Sequence, residues 1–169
     1  MKKILALGAI VSSLALMAPS SQAAVGSNTF DVTASLTSAC TVGAFSGALA
    51  FGTVTAFVAP SNPSAITSSV SCTRNLTGVT AVFDTSAGVA GSSAAAASPT
   101  GDGLLSNGLR YTITGALGTA AAGTAATNAS IGTADIYTFT VNGAMVAQAG
   151  TCATASCAGT QTRTVTLNF

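Results

Sequence analysis

Gln161-Thr162-Arg163-Thr164-Val165-Thr166-Leu167-Asn168-Phe169 closes the sequence. Arg163, Val165, Leu167 and Phe169 occupy every second position, and Thr162, Thr164, Thr166 and Asn168 fall between them. Successive side chains of a strand point to opposite faces, so this period of two reads as a half-buried β-strand. The Val and Thr residues reinforce the reading, because β-branched side chains pack well on a pleated surface.

The same period recurs upstream. Residues 30–36 alternate Phe30, Val32, Ala34 and Leu36 with Asp31, Thr33 and Ser35. Residues 48–55, with Leu49, Phe51 and Val54, read as a further short strand, in which Gly52 marks a bulge or a close backbone approach. Pro60-Ser61-Asn62-Pro63 is a loop. Residues 66–73 alternate through Val70 and Cys72, and residues 76–85 set Val79, Ala81 and Phe83 on one face. Residues 86–103 are almost wholly Gly, Ala, Ser, Pro and Thr, which reads as a long connection or a weakly paired edge, with Gly101-Asp102-Gly103 as a turn. Residues 109–114 place Leu109, Tyr111 and Ile113 on one face. Residues 115–128 return to Ala, Gly and Thr, where Gly115, Gly118 and Gly123 make helix costly at about 1 kcal/mol each. Residues 135–146 place Tyr137, Phe139 and Val141 together. About seven short strands without a helical pattern beyond the first residues give an all-β fold, a sandwich of two sheets.

Those first residues read as a leader rather than as fold. Lys2 and Lys3 precede an apolar run from Ile4 to Met17, and Ser21-Gln22-Ala23 puts small residues at a cleavage-like site. The pattern is that of a secretory signal peptide over residues 1–23. The apolar run is too short for a bilayer span, and no later stretch reads as one, so the exported chain is expected to carry no membrane anchor. Four cysteines follow the leader: Cys40, Cys72, Cys152 and Cys157. An even number in an exported chain reads as two disulfides. Of three possible pairings, spacing favours Cys152 with Cys157 across a tight turn, leaving Cys40 with Cys72. The loop-entropy argument assigns roughly 3.5–4 kcal/mol to the longer loop and about 2 kcal/mol to the shorter.

Of the 169 residues only 5% are charged and 49% are hydrophobic. After the leader there are four Asp, three Arg and no Lys, a net charge of −1. That surface offers no electrostatic footprint for nucleic acid. The sequence has no His, which rules out Ser-His-Asp and Cys-His catalysis. Without Lys the exported chain also has no Ser-Lys dyad or Schiff base. Asp31, Asp84, Asp102 and Asp135 are spread one to a segment and read as solvated turn and edge residues. Arg74, Arg110 and Arg163 fall on separate segments and read as solvated too. No metal, cofactor or enzymatic site is expected.

Five pieces together resemble the spore coat protein U domain, the fold of archaic chaperone–usher pilins. They are Ser38-Ala39-Cys40-Thr41-Val42 after an alternating strand, Leu49-Ala50-Phe51-Gly52-Thr53-Val54, Ser69-Val70-Ser71-Cys72-Thr73, Gly108-Leu109-Arg110-Tyr111-Thr112-Ile113, and Ala149-Gly150-Thr151 leading to Thr164-Val165-Thr166-Leu167-Asn168-Phe169. Two features depart from the family: the Cys152–Cys157 pair, an added clip before the last strand, and the Ala- and Gly-rich middle.

The resemblance implies an incomplete immunoglobulin-like (pilin) β-sandwich over residues 39–169, completed by a donated strand. Residues 24–38 would be the donor segment, with Phe30, Val32, Ala34 and Leu36 entering successive pockets of the next subunit. The strand carrying Val165, Leu167 and Phe169 would be one wall of the acceptor groove. Implied partners are identical or related pilin subunits in a head-to-tail polymer, a periplasmic chaperone and an outer-membrane usher. The implied destination is a cell-surface fibre, reached through the periplasm and serving adhesion and biofilm formation. The alternative is that residues 30–36 are the chain's own first strand, because nothing local separates a donated strand from a retained one; the donor reading is the favoured one. A secreted, non-polymerising coat protein of the same fold and a minor or tip adhesive subunit are the alternatives.

Overall fold

The computed structural model describes residues 28–85 and 95–169. The leader, residues 1–23, lies outside the described residues, as do 24–27 and 86–94. The chain divides into two units, Met1–Ser35 and Leu36–Phe169.

The second unit contains seven strands: β1 (Cys40–Val42), β2 (Ile66–Cys72), β3 (Thr80–Phe83), β4 (Thr100–Leu104), β5 (Arg110–Leu117), β6 (Asp135–Ala144) and β7 (Val165–Asn168). No helix occurs among the described residues. One sheet has the order β1-β2-β6-β5-β4, and the other pairs β3 with β7. All pairings are antiparallel. The chain is therefore all-β, in two sheets that share one core, as in a β-sandwich.

The period-two faces meet in that core. Val70 and Cys72 of β2, Ala81 and Phe83 of β3, Tyr111 and Ile113 of β5, and Phe139 and Val141 of β6 are buried. Phe139 is its centre. Its ring centroid lies 6.2 Å from that of Phe83, across the two sheets, and 6.4 Å from that of Phe45, edge to face. Tilted and edge-on pairs at such distances add to the simple burial of area.

The sequence-based expectations are corrected at three places. Residues 48–55 belong to no ladder. The chain leaves β1, pairs briefly with β2 (Gly43 N to Ser69 O 2.8 Å, Ser46 N to Thr67 O 2.8 Å), and then turns over the inner face. There Leu49 and Phe51 lie against Gly143, where an added Cβ would stand 2.6 Å from the Leu49 side chain. Phe51 packs its ring 5.8 Å from Tyr111. The apolar spacing thus reported burial correctly without a strand partner.

Gly101-Asp102-Gly103 is not a turn but the middle of β4, paired with Ile113, Thr112 and Tyr111. Gly103 stands there because the Tyr111 ring occupies the space that a side chain would need. Likewise β5 continues into the Ala/Gly stretch as far as Leu117, and Gly115 leaves room for Phe139 and Pro99. Composition alone hides such strands, because a neighbouring ring supplies the apolar surface that glycine lacks.

Third, residues 28–39 form no strand within the chain, which corrects the alternative that 30–36 is its own first strand. Phe30 and Val32 are 86% and 84% exposed, Leu36 is 84% exposed, and Ala34 is exposed as well.

Candidate functional site

β7 forms the edge of the two-stranded sheet. Its register sets Phe83 opposite Val165, Ala81 opposite Leu167 and Thr80 opposite Asn168. Asp84 N donates to Thr164 O at 2.9 Å, which sets the phase of the ladder. Hydrogen-bonded and non-hydrogen-bonded pairs alternate in an antiparallel ladder. The main-chain groups of Thr164, Thr166 and Asn168 therefore point to β3, and those of Val165 and Leu167 point away. Among the described residues no strand lies on that outer side. The Val165 and Leu167 side chains pack against the core but remain half-exposed, and Phe169 is exposed. An edge with unpaired polar groups above a half-covered apolar face is a template for another strand.

The edges of β3 and β4 are closed by contrast. Ala81 exchanges two hydrogen bonds of 2.9 Å with Ala96, which closes the outer side of β3 at that residue. On β4 the hairpin bond from Leu105 N to Leu109 O sets the phase, so Asp102 and Leu104 turn their main chain outward. Both are capped by side chains: Arg163 Nη1 donates to Asp102 O at 2.5 Å, and Leu104 N donates to Gln161 Oε1 at 3.0 Å. β1 is a second edge with no strand on its outer side among the described residues, but it is only three residues long.

The caps also anchor the start of β7. Arg163 Nε donates to Asp84 Oδ1 and Nη2 to the Asp84 carbonyl, each at 2.7 Å. Tyr111 donates its hydroxyl to Gln161 Oε1 at 2.6 Å. Partial burial works against the charge of Arg163, yet the Asp84 carboxylate and the Tyr111 hydroxyl hold its pKa above the ordinary value. Arg163 and Asp84 are thus not the solvated residues that the sequence alone indicated. The signal was present: Arg163 shares the stripe of Val165 and Leu167, and an inward guanidinium needs a partner.

Asp135 is a further correction. It is buried at the start of β6, and its carboxylate accepts from Gly123 N at 2.7 Å and from Asn75 N at 2.8 Å. These two main-chain donors, Gly123 before Asn75, together with nearby Arg74 hold its pKa below the ordinary 3.8 against the opposing effect of burial. It ties the loop before β6 to the turn after β2, where Asn75 takes a φ of 60°.

Both disulfides form as the spacing indicated. Cys40 and Cys72 face each other directly across β1 and β2, with Cα atoms 4.1 Å apart. Cys152 and Cys157 close a small exposed loop ahead of β7. The structure therefore brings Val165 and Leu167 together as one edge and leaves Phe30, Val32, Ala34 and Leu36 outside any ladder. No protein-family model, curated protein or solved structure matches this chain.

Proposed function

We propose that this chain is a structural subunit of a surface fibre, a pilin of the spore coat protein U type that polymerises by strand donation. The observation that carries the reading is the open β7 edge, with Val165 and Leu167 only half covered. It occurs in a chain that also holds an exposed, alternating apolar segment outside any ladder.

The strand order supports the same reading. An immunoglobulin sandwich orders its strands ABED in one sheet and GFC in the other. The series β1-β2-β6-β5 follows ABED, and β7-β3 follows FC, so the open side of β7 corresponds to the position of strand G. A strand from residues 24–38 of a second subunit would occupy that position. Its main chain would pair with Val165 and Leu167, and Phe30, Val32, Ala34 and Leu36 would cover the exposed apolar face. Burying the three larger side chains contributes roughly 5–8 kcal/mol before ordering costs. Head-to-tail donation does not close on itself and so builds a fibre.

Before assembly the same edge is an aggregation hazard. A periplasmic chaperone would cover it and an outer-membrane usher would exchange the chaperone for the next donor. The fibre would serve adhesion and biofilm formation at the cell surface. The test is to shear the surface fraction from expressing cells and compare unheated with heated samples on denaturing gels. A ladder that collapses to monomer only on heating is expected. Monomer in both lanes, with no filaments by electron microscopy, would leave a secreted sandwich without strand donation.

A further inference from the structure

The Cys152–Cys157 loop is built onto the β4–β5 turn. Thr151 N donates to Asn107 O at 2.8 Å, Asn107 Nδ2 donates to Cys157 O at 3.3 Å, and Thr160 N donates to Ser106 Oγ at 3.2 Å. The packing is close on both flanks. A Cβ on Gly150 would stand 2.8 Å from Leu109, and one on Gly159 would overlap the Asn107 amide. Directly after this strap come Gln161 and Arg163, the two side chains that cap the outward main chain of β4. The disulfide therefore fixes a strap whose far end seals a sheet edge.

The two disulfides differ in their access to solvent. Cys72 is 1% exposed and sits in the paired β1–β2 ladder. Cys152 and Cys157 are both exposed and lie outside any ladder. Exposed disulfides exchange with external thiols more readily than buried ones.

We propose that Cys152–Cys157 is a thiol-exchange site, a latch that keeps the β4 edge closed and opens to a dithiol. A thiolate of the dithiol attacks Sγ of Cys152 or Cys157. The intramolecular S–S bond breaks, a mixed disulfide forms, and the departing cysteine thiolate takes a proton. The second thiol of the reagent then displaces the bound cysteine. The cysteines end as two thiols, and the dithiol is oxidised to its disulfide with transfer of two electrons. The strap loses its covalent restraint, the Thr151, Cys157 and Thr160 contacts loosen, and the caps on Asp102 and Leu104 follow. An uncapped β4 is a further edge open to pairing, so the closed latch keeps strand addition away from β4. The last point rests on the fibre reading; the latch itself does not.

The experiment titrates the full exported chain with dithiothreitol, alkylates the thiols formed, and follows amide exchange by mass spectrometry. Cys152 and Cys157 are expected to open at about a tenfold lower reductant ratio than Cys40 and Cys72. Exchange over residues 100–109 and 150–161 is then expected to rise about tenfold while β2 and β6 keep their protection. A Cys152→Ser/Cys157→Ser double variant, which needs no reductant, is expected to show the same pattern. Simultaneous opening of both disulfides, or unchanged exchange at residues 100–109 once the loop is open, would overturn the proposal. A chain that fails to polymerise but shows the exchange pattern would sink the fibre reading and leave the latch standing.

Discussion

Arg163 binds Asp84 twice, through its carboxylate and through its carbonyl, each at 2.7 Å. The pair joins the end of β3 to the start of β7, and the third Arg163 contact reaches Asp102 O in the other sheet. One guanidinium therefore spans both sheets.

Removing it should show in stability. The Arg163 and Asp84 side chains are 12% and 30% exposed, so Arg163→Ala leaves a carboxylate and a β4 carbonyl short of partners. A loss of about 2–3 kcal/mol is expected, below that of a fully buried pair. Arg163→Lys should recover little, because an ammonium cannot reproduce the planar fork. Midpoints of urea unfolding read both variants. An Arg163→Lys protein as stable as the parent would mean that charge alone matters here.

At β4, Gly103→Ala places a methyl group where the Tyr111 ring lies. Overpacking of this kind costs about 1–3 kcal/mol. Gly103→Ala combined with Tyr111→Leu should recover part of the loss. Thermal unfolding of the single and double variants makes the comparison.

Asp135 has its pKa lowered in the folded chain from the ordinary 3.8. The unfolded chain therefore takes up the proton first as pH falls, and the stability due to this group is present above that value. It should be lost progressively as pH falls through the acid range below that value. In Asp135→Asn an amide N–H must face one of the two main-chain donors, so the variant should be less stable at neutral pH. Its acid dependence should also be flatter. Unfolding midpoints across that pH range decide the matter, and an unchanged slope would place the acid sensitivity elsewhere.

Phe30→Asp tests strand donation apart from folding. Phe30 is highly exposed, so the monomer should unfold at the same temperature as the parent. Polymer should fall by about 10- to 100-fold, matching about 1.5–3 kcal/mol for one buried aromatic side chain. The heated and unheated gel gives the polymer and calorimetry gives the monomer. A full ladder from Phe30→Asp would remove this residue from the donor.

Cys40→Ala/Cys72→Ala should cost about 3.5–4 kcal/mol through the longer loop, measured by urea unfolding of the purified chain. A loss below about 1 kcal/mol would show that the β1–β2 ladder holds without its bridge.

By itself the sequence determined the all-β class and the faces of the core stripes, and its cysteine spacing favoured the disulfide pairings that form. Side-chain period and cysteine spacing are local properties, and Val79, Ala81 and Phe83, or Phe139 and Val141, need no distant partner to declare a common face. Only the tertiary structure decided the rest. Residues 48–55 carry a strand's spacing but no ladder, because pairing depends on which backbone lies alongside. Gly101-Asp102-Gly103 reads as a turn and is a strand, because the Tyr111 ring fills the space above Gly103. The charges of Asp84, Arg163 and Asp135 look solvated in a list of residues. They are bound in the fold, because their partners lie 79 positions apart for Arg163 with Asp84 and 60 for Asp135 with Asn75. The resemblance implied a groove at the strand of Val165 and Leu167, but that β4 is sealed was beyond the sequence. β4 is sealed and β7 is not because Gln161 and Arg163, adjoining β7 in the chain, reach across to the other sheet.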